Sequence, residues 1–269
     1  MDVHDDIELR AAAAGDAAAI VELVRASFDP AVLELSIYGC DGIESYVRAL
    51  IEVEPRGADT TFSVAATGDR PIAIAELRQL PDSLFLNYIA VAPEVRRQGV
   101  GTALLAAALG RARRHGQRTL ALDVMEGNDP ARAWYRGLGL REGPATDWWT
   151  LAPPGADTYP AAPVSGWAQA AACQRAFGFA EVGVQATRGS YRIGLLGRDW
   201  FRVTDPAALD DAALGATLRV LDPARSLLAL VPRGALPERL AAGAERRATM
   251  LRLSGELDEL TRRLEERAR

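Results

Sequence analysis

The stretch from Leu86 to Leu140 constrains the fold of this 269-residue chain more than any other part of the sequence. Apolar segments rich in β-branched residues alternate there with segments whose apolar residues recur at helical spacing. This alternation predicts a sheet with helices packed against it, so we assign a mixed α/β (α+β) fold. The predicted elements are a strand over Ser83–Val91, a helix over Gly99–His115, a strand over Thr119–Met125 and a helix from Asp129 to Gly137 or Gly139.

The residues before this stretch predict further elements of the same sheet. Gly68-Asp69-Arg70 separates two runs of β-branched and apolar residues, which is a strong hairpin signal. The predicted elements are a short strand over Ile7–Arg10, a helix from Gly15 to about Phe28, a helix over Ile43–Val53 and strands over Thr60–Thr67 and Pro71–Leu80.

Two proline-rich runs near residues 153 and 160 indicate a linker in the middle of the chain. We therefore predict a first domain over 1–152, a linker over 153–165 and a smaller α+β domain over 166–269. The elements predicted for the second domain are a helix over Trp167–Phe177, paired strands over Phe179–Thr187 and Tyr191–Leu196, and a pair of strands over Leu218–Leu221 and Leu227–Val231.

The end of the chain predicts a long helix that begins near Pro237. Its apolar residues are spaced by alternating steps of three and four, as in a coiled-coil seam. They are Met250, Leu253, Leu257, Leu260 and Leu264. Two readings stay open, a homodimer contact or a terminal helix that lies on its own domain.

Composition excludes several classes of function. The net charge of -5 disfavours a general nucleic-acid surface. With only Cys40 and Cys173, the chain lacks the thiols for a disulfide framework or a zinc site, and we expect neither a metal nor an oxidising compartment. No run approaches 18 apolar residues, so we expect no membrane segment and a cytoplasmic location.

The loop at 96–101 has the chemistry of an anion site. Glycines at 99 and 101 remove the β-carbons that would keep backbone amides away from a pyrophosphate, and the helix that follows adds its positive N-terminal end. Leu104 stands where a dinucleotide-binding loop needs a third small residue. The Lys and Ser or Thr of a P-loop are also missing.

Two motifs in the right order and spacing carry a family resemblance. The first is Ile89-Ala90-Val91 followed by Arg96-Arg97-Gln98-Gly99-Val100-Gly101, and the second is Asp123-Val124 followed by Asn128, Ala131, Trp134-Tyr135 and Gly139-Leu140. Together they resemble the acyl-CoA loop and the cofactor-contacting helix of the GNAT superfamily of N-acetyltransferases. Leu140 replaces the usual Phe. The resemblance covers about residues 7–152.

The resemblance implies acetyl-CoA as the acyl donor and a mostly antiparallel central sheet that is splayed at the acetyl-CoA site. The pantetheine arm would lie between the two splayed strands and bond to the main chain of Ile89 and Val91. The cofactor residues implied in this way are Ile89, Val91, Arg96, Arg97, Gln98, Gly99, Val100, Gly101, Thr102, Asn128, Ala131 and Tyr135.

Tyr135 is the predicted general acid. Asn128, Ala131 and Tyr135 are three and four residues apart and share one helix face. A phenol with a pKa near 10 stays protonated at neutral pH and can protonate a departing thiolate whose thiol has a pKa of about 8.5. The alternative reading is a core aromatic beside Trp134.

Asp123 is the first candidate for the general base and Glu76 the second. An acidic residue five positions before the Asn resembles the arrangement in ribosomal-protein alanine N-acetyltransferases. Either carboxylate could instead pair with an Arg, and many family members use a chain of waters. An α-amine is easier to deprotonate than a lysine amine by about 3 to 4 kcal/mol, so a weak base favours a small or α-amine acceptor.

In the family the acceptor site is walled by the segment between the first two helices and by the last strands. The matching candidates here are Glu34, Tyr38 and Trp148. Carboxylates could attract a cationic amine and an indole could stack on it. The alternative is a solvated helix face with ordinary core aromatics.

The leading function is N-acetylation of a small-molecule amine by direct attack on the thioester. The alternatives are a protein N-terminal or side-chain acetyltransferase and a noncatalytic acyl-CoA-binding or scaffold protein.

The second half contains an echo of the first. Residues 172–181 repeat residues 133–142 at four identical positions, with Gln174 where Tyr135 would fall. Because no Arg-x-x-Gly-x-Gly loop precedes the echo, we expect a noncatalytic appendage. The alternative is that residues 179–196 complete the catalytic sheet.

Overall fold

The computed structural model describes residues 7–57, 59–114, 116–153 and 160–268, and the chain divides into two compact units. Unit 1 contains residues 1–28, 44–143 and 251–269, and unit 2 contains residues 29–43 and 144–250. Neither unit is continuous in sequence. None of the helices in the described ranges is long and apolar enough to cross a membrane.

Nine helices and twelve strands are present in the described residues. The helices are α1 (Ala17–Arg25), α2 (Pro30–Leu33), α3 (Ile43–Val53), α4 (Val100–Ala112), α5 (Asp129–Gly137), α6 (Trp167–Phe177), α7 (Ala212–Leu221), α8 (Glu238–Ala241) and α9 (Leu257–Ala268). The strands are β1 (Ile7–Ala11), β2 (Thr60–Thr67), β3 (Arg70–Gln79), β4 (Ser83–Val91), β5 (Thr119–Met125), β6 (Arg141–Leu151), β7 (Val164–Ser165), β8 (Phe179–Gln185), β9 (Ser190–Leu196), β10 (Trp200–Val203), β11 (Ser226–Pro232) and β12 (Glu245–Glu256).

In unit 1 the sheet order is β1-β2-β3-β4-β5, with the last part of β12 beside β5. The pairs β1–β2, β2–β3 and β3–β4 are antiparallel, whereas β4 and β5 are parallel. Helices α1 and α4 pack against β3, and they bury Ile20, Val24, Leu104 and Leu105 completely. The predicted mixed fold with a mostly antiparallel sheet flanked by helices is confirmed.

In unit 2 the order is β6-β11-β10-β9-β8-β7, and the pair β10–β11 is parallel. Its core contains Ile193, Phe201, Leu227 and Val231, each at most 1% exposed. The predicted helix over Trp167–Phe177 is α6, and the hairpin predicted after it is β8 and β9.

The predicted strand over Leu218–Leu221 is wrong, because these residues form the last turn of α7. Asp211 caps this helix by accepting from the amides of Ala213 and Leu214, which fixes its start. β11 pairs with β10 and β6 instead. The alternative that residues 179–196 complete the first sheet is also wrong, since β8 and β9 pair with each other in unit 2.

The long C-terminal helix with a coiled-coil seam is wrong as well. Met250 and Leu253 lie in strand β12, and the final helix α9 begins only at Leu257. Burial in β12 alternates at residues 251–254, where two buried leucines flank exposed Arg252, and this is the period of a strand. Leu260 and Leu264 of α9 are at most 1% exposed within the chain, and α9 packs on α4 of its own unit. The homodimer stays a prediction, but the coiled-coil seam no longer supports it.

The division into units differs from the predicted domains at four places. Residues 29–43 and 144–152 belong to unit 2, and residues 251–269 belong to unit 1. The predicted linker over 153–165 includes residues 154–159, which lie outside the described residues, and it ends in strand β7, which pairs with β8.

We predict that Leu260→Ala lowers the free energy of unfolding by about 2–5 kcal/mol, because it leaves a cavity where a fully buried leucine side chain was. Urea unfolding measures the change. Exposed Glu265→Ala on the same helix is the matched control, with an expected change within about 0.5 kcal/mol. Equal effects of the two substitutions would contradict the packing of α9 on unit 1.

Candidate active site

The parallel pair β4–β5 opens halfway along its length. The two strands pair only from Ser83 to Leu86 and from Thr119 to Leu122, although β4 continues to Val91 and β5 to Met125. On the other side of β4 the register with β3 shifts at Glu76, so Asn87 is an extra residue in a β-bulge. The predicted splay beyond a bulge is therefore present. Its edge exposes backbone groups that an extended ligand can pair with.

The loop after β4 turns the chain through two left-handed residues. Arg97 has φ 61° and Gly99 has φ 82°, and Gly99 then caps the start of α4. A β-carbon at Gly101 would lie 3.3 Å from Cγ2 of Val91. Glycine therefore serves backbone geometry at position 99 and close packing at position 101.

The amides of this loop lack backbone acceptors. Among the described residues, no backbone carbonyl accepts a hydrogen bond from the amides of residues 97–101. These amides lie at the positive end of α4, which favours an anion such as a pyrophosphate. The arrangement fits the phosphate portion of acetyl-CoA.

Two side chains of the loop are used to hold its shape. Nε of Arg96 donates to the Val91 carbonyl at 2.8 Å, and Nε2 of Gln98 donates to the Glu94 carbonyl at 3.1 Å. The Thr102 hydroxyl accepts from Nε1 of Trp134 at 3.3 Å, which ties α4 to α5. Since the Val91 carbonyl already has a donor, Ile89 is the better placed of the two main-chain candidates.

Helix α5 places Asn128 and Tyr135 in different roles. Oδ1 of Asn128 accepts from the Ala131 amide at 3.2 Å and caps the helix. The ring of Tyr135 is 7% exposed, and burial raises the pKa of its hydroxyl well above the ordinary value. Within the described chain no group hydrogen-bonds to this hydroxyl.

The two candidate bases have different surroundings. Both oxygens of Asp123 accept from Arg252, at 2.5 Å and 3.1 Å. Glu76 is 4% exposed and accepts from Nδ2 of Asn87 at 2.7 Å, directly at the bulge. Both oxygens of Asp123 are therefore held by an ion pair, and Oε1 of Glu76 is held by the amide of Asn87.

Sequence reasoning missed Asn87, Arg252 and the aromatic pair of Phe28 and Tyr88, whose ring centroids are 5.7 Å apart. A bulge at Asn87 leaves no signal in a single sequence. Arg252 is 129 residues from Asp123 along the chain, so spacing could not have connected them.

The three acceptor-site candidates, Glu34, Tyr38 and Trp148, all belong to unit 2. Glu34 pairs with Arg247 at 2.6 Å, and Tyr38 is 1% exposed. Trp148 is partly buried against an apolar cluster that includes Cys40. Within unit 2 these side chains therefore have structural partners.

Unit 2 repeats the parallel strand pair but lacks the anion loop. β10 ends at Val203, where its pairing with β11 also ends, so the pair does not open as β4 and β5 do. The amides at the start of the next helix are taken by the carboxylate of Asp211. A second carboxylate, Asp205, caps the turn before it. Negative charge and occupied amides make this helix start unsuitable for a pyrophosphate.

Comparison with known proteins gives a family match for part of the chain. Residues 33–140 match the model of the Acetyltransferase (GNAT) family. No curated protein sequence matches the chain significantly.

Several solved structures share the fold over nearly the whole chain. A tandem GNAT protein from the clavulanic acid biosynthesis pathway is 17% identical, covers 93% of this chain and 98% of its own, and superimposes with a TM-score of 0.62. A protein from Pyrococcus horikoshii is 14% identical, with coverages of 95% and 91% and a TM-score of 0.59. One from Thermoplasma acidophilum is 12% identical, with coverages of 93% and 99% and a TM-score of 0.52. The second half, predicted as an unrecognised α+β extension, is therefore included in the fold that these structures share.

We predict that Gly99→Val raises the dissociation constant for acetyl-CoA at least about tenfold, because a β-branched residue resists a positive φ and distorts the amide array. Isothermal titration calorimetry measures the affinity. Gly110→Ala in α4 is the matched control, since a β-carbon there meets nothing within 4 Å. Unchanged affinity in a folded Gly99→Val protein would contradict the assigned loop.

Proposed function

We propose that this chain, whose residues 33–140 match the model of the GNAT acetyltransferase family, transfers the acetyl group of acetyl-CoA to a primary amine of a small molecule. The observation that carries the proposal is the opening between β4 and β5, which has the amide loop at its wide end. Acetyl-CoA, when bound, supplies a thioester carbonyl that an amine can attack.

Different residues of the chain would bind different parts of acetyl-CoA. The amides of residues 97–101 would hold the pyrophosphate, and the main chain of Ile89 would pair with the extended pantetheine. Asn128 and Ala131 line the start of α5, where the small Ala131 leaves room for the cofactor beside its polar neighbours. No metal takes part in this scheme.

Tyr135 acts as the general acid. Its hydroxyl gives a proton to the departing sulfur, and its raised pKa keeps that proton in place until it is needed. A buried phenol without another hydrogen-bond partner has no competing acceptor for its proton.

Glu76 is the better placed proton acceptor for the attacking amine. It lies at the bulge where the strands part, and its contact with Asn87 fixes its orientation. Asp123 is engaged by Arg252 through both oxygens. We therefore reverse the order of the two candidate bases.

A small amine suits this machinery better than a lysine side chain of a protein. One carboxylate is a weak base, and an amine of pKa about 7.8 is roughly one tenth neutral at pH 7 without help. The protein acetyltransferase and the noncatalytic acyl-CoA-binding protein remain outcomes of the test.

We predict that Tyr135→Phe lowers kcat by about 10²–10⁴-fold and changes the KM for acetyl-CoA less than about threefold, because only proton donation is lost. Release of the CoA thiol, followed with a panel of small amines, amino acids and peptides, measures both constants. Tyr46→Phe on α3 is the matched control. Tight binding of acetyl-CoA with no turnover of any amine would overturn the enzymatic proposal.

The pH profile of kcat separates proton donation from packing. Because burial raises the pKa of Tyr135, the protonated form persists, and we expect kcat to stay level from about pH 8 to about pH 10. A falling limb with an apparent pKa near 9 that is absent from Tyr135→Phe would contradict the raised pKa.

We predict that Glu76→Gln lowers kcat/KM for the amine by about 10²-fold near pH 7, and that the loss shrinks as the pH approaches the pKa of the amine. Asp123→Asn is the comparison and should leave kcat within about threefold. A larger loss of activity in Asp123→Asn than in Glu76→Gln would restore Asp123 as the base.

A further inference from the structure

Charged side chains lie around the ring of Phe85 in unit 1. The guanidinium carbon of Arg78 lies 5.2 Å from the ring centroid, and that of Arg252 lies 5.1 Å from it. The ring itself is 8% exposed, so it forms a nearly buried platform beneath exposed guanidinium groups. We call Arg78, Phe85, Arg252 and Asp123 the arginine platform.

The sheet register builds this platform. Arg78 of β3 stands opposite Phe85 of β4, and Phe85 stands opposite Ala121 of β5. Asp123 is two residues beyond Ala121 and shares its face of the sheet. Arg252 reaches the same face from β12 through its contacts with Asp123 and Phe85.

The platform carries an excess of positive charge. Two guanidinium groups meet one carboxylate, and Asp123 engages Nε and Nη2 of Arg252 only. The guanidinium of Arg78 makes no hydrogen bond or ion pair elsewhere in the described chain. Both carbons lie near one ring and are therefore at most about 10 Å apart. Forked N–H donors that rest on an aromatic ring are well suited to a carboxylate or phosphate oxyanion.

The platform lies at the closed end of the strand opening. Phe85 directly precedes Leu86, the last residue of β4 that pairs with β5, and Asp123 directly follows Leu122. A cofactor that is bound at the loop 96–101 and runs between the strands would extend towards this closed end. An amine that attacks there has the arginine platform beside it.

We infer that the acceptor amine also carries an oxyanion group, a carboxylate or a phosphate, and that Arg78 and Arg252 bind this group over Phe85. The inference rests on the proposed function and names the class of acceptor. Two guanidinium groups at the same place repel a second ammonium, so polyamines are disfavoured. Arg252 is held by Asp123, which leaves Arg78 as the residue that determines specificity.

Matched pairs of amines test the inference. Initial rates of CoA release compare amino acids with their amides, and phosphorylated amino alcohols with the free amino alcohols. We expect the anionic member of at least one pair to show a kcat/KM at least about tenfold higher, and the pair that shows it distinguishes carboxylate from phosphate. Arg78→Gln should abolish the preference by raising the KM for the anionic amine while kcat stays nearly constant. Arg78→Lys should restore only part of it.

Arg141→Gln is the matched control, because Arg141 is an exposed arginine of the same unit and lies outside the platform. Equal kcat/KM values for anionic and neutral amines, with turnover intact, would overturn the inference and leave the proposed function standing. If no amine is turned over, the proposed function fails. Calorimetric binding of the same pairs to the CoA-loaded protein then decides the inference, and equal affinity of wild type and Arg78→Gln for the anionic member would overturn it.

Discussion

The parallel pairing of β4 with β5 ends at Leu86 and Leu122, and the rest of unit 1 depends on that interruption. Strand backbone groups need partners, so two strands that part must expose their edges to water or to a ligand. The bulge at Asn87 makes the separation possible by turning β4 away from its neighbour while β3 stays paired. The loop of left-handed Arg97 and Gly99 then closes the wide end, and Tyr135 is supplied by the helix that follows β5.

Helices whose ends are set by neighbouring residues could be predicted from the sequence, whereas elements that depend on distant contacts could not. Helices α3 and α6 begin and end at the predicted residues, because amphipathic spacing, the glycines on both sides of α6 and the proline after α3 set their ends. Leu218–Leu221 was misassigned because a short apolar run fits either a strand or a helix, and tertiary pairing decides between them. After Pro237, the heptad spacing was misleading because Met250 and Leu253 belong to a strand and only the residues from Leu257 onwards are helical. The Asp123–Arg252 ion pair spans 129 residues, and no spacing rule reaches across that distance.

The two units have similar strand pairing but different chemistry after the parallel pair. Each has a parallel pair of strands beside an antiparallel set, at β4–β5 and at β10–β11. In unit 1 the amides that follow the pair are open, and in unit 2 the carboxylates of Asp205 and Asp211 occupy them. A helix start that satisfies its own amides gains stability and loses the ability to bind an anion.

The last strand and helix give this architecture an order of assembly. Residues 251–269 complete unit 1, yet the ribosome makes them only after residues 144–250 of unit 2. At ordinary elongation rates that delay is about 5 to 20 s. During it, β5 lacks its neighbour β12, and Asp123 lacks Arg252. Unit 1 is therefore incomplete until residues 144–250 of unit 2 have been synthesised. A chain that ends before residue 252 lacks the ion pair between Arg252 and Asp123.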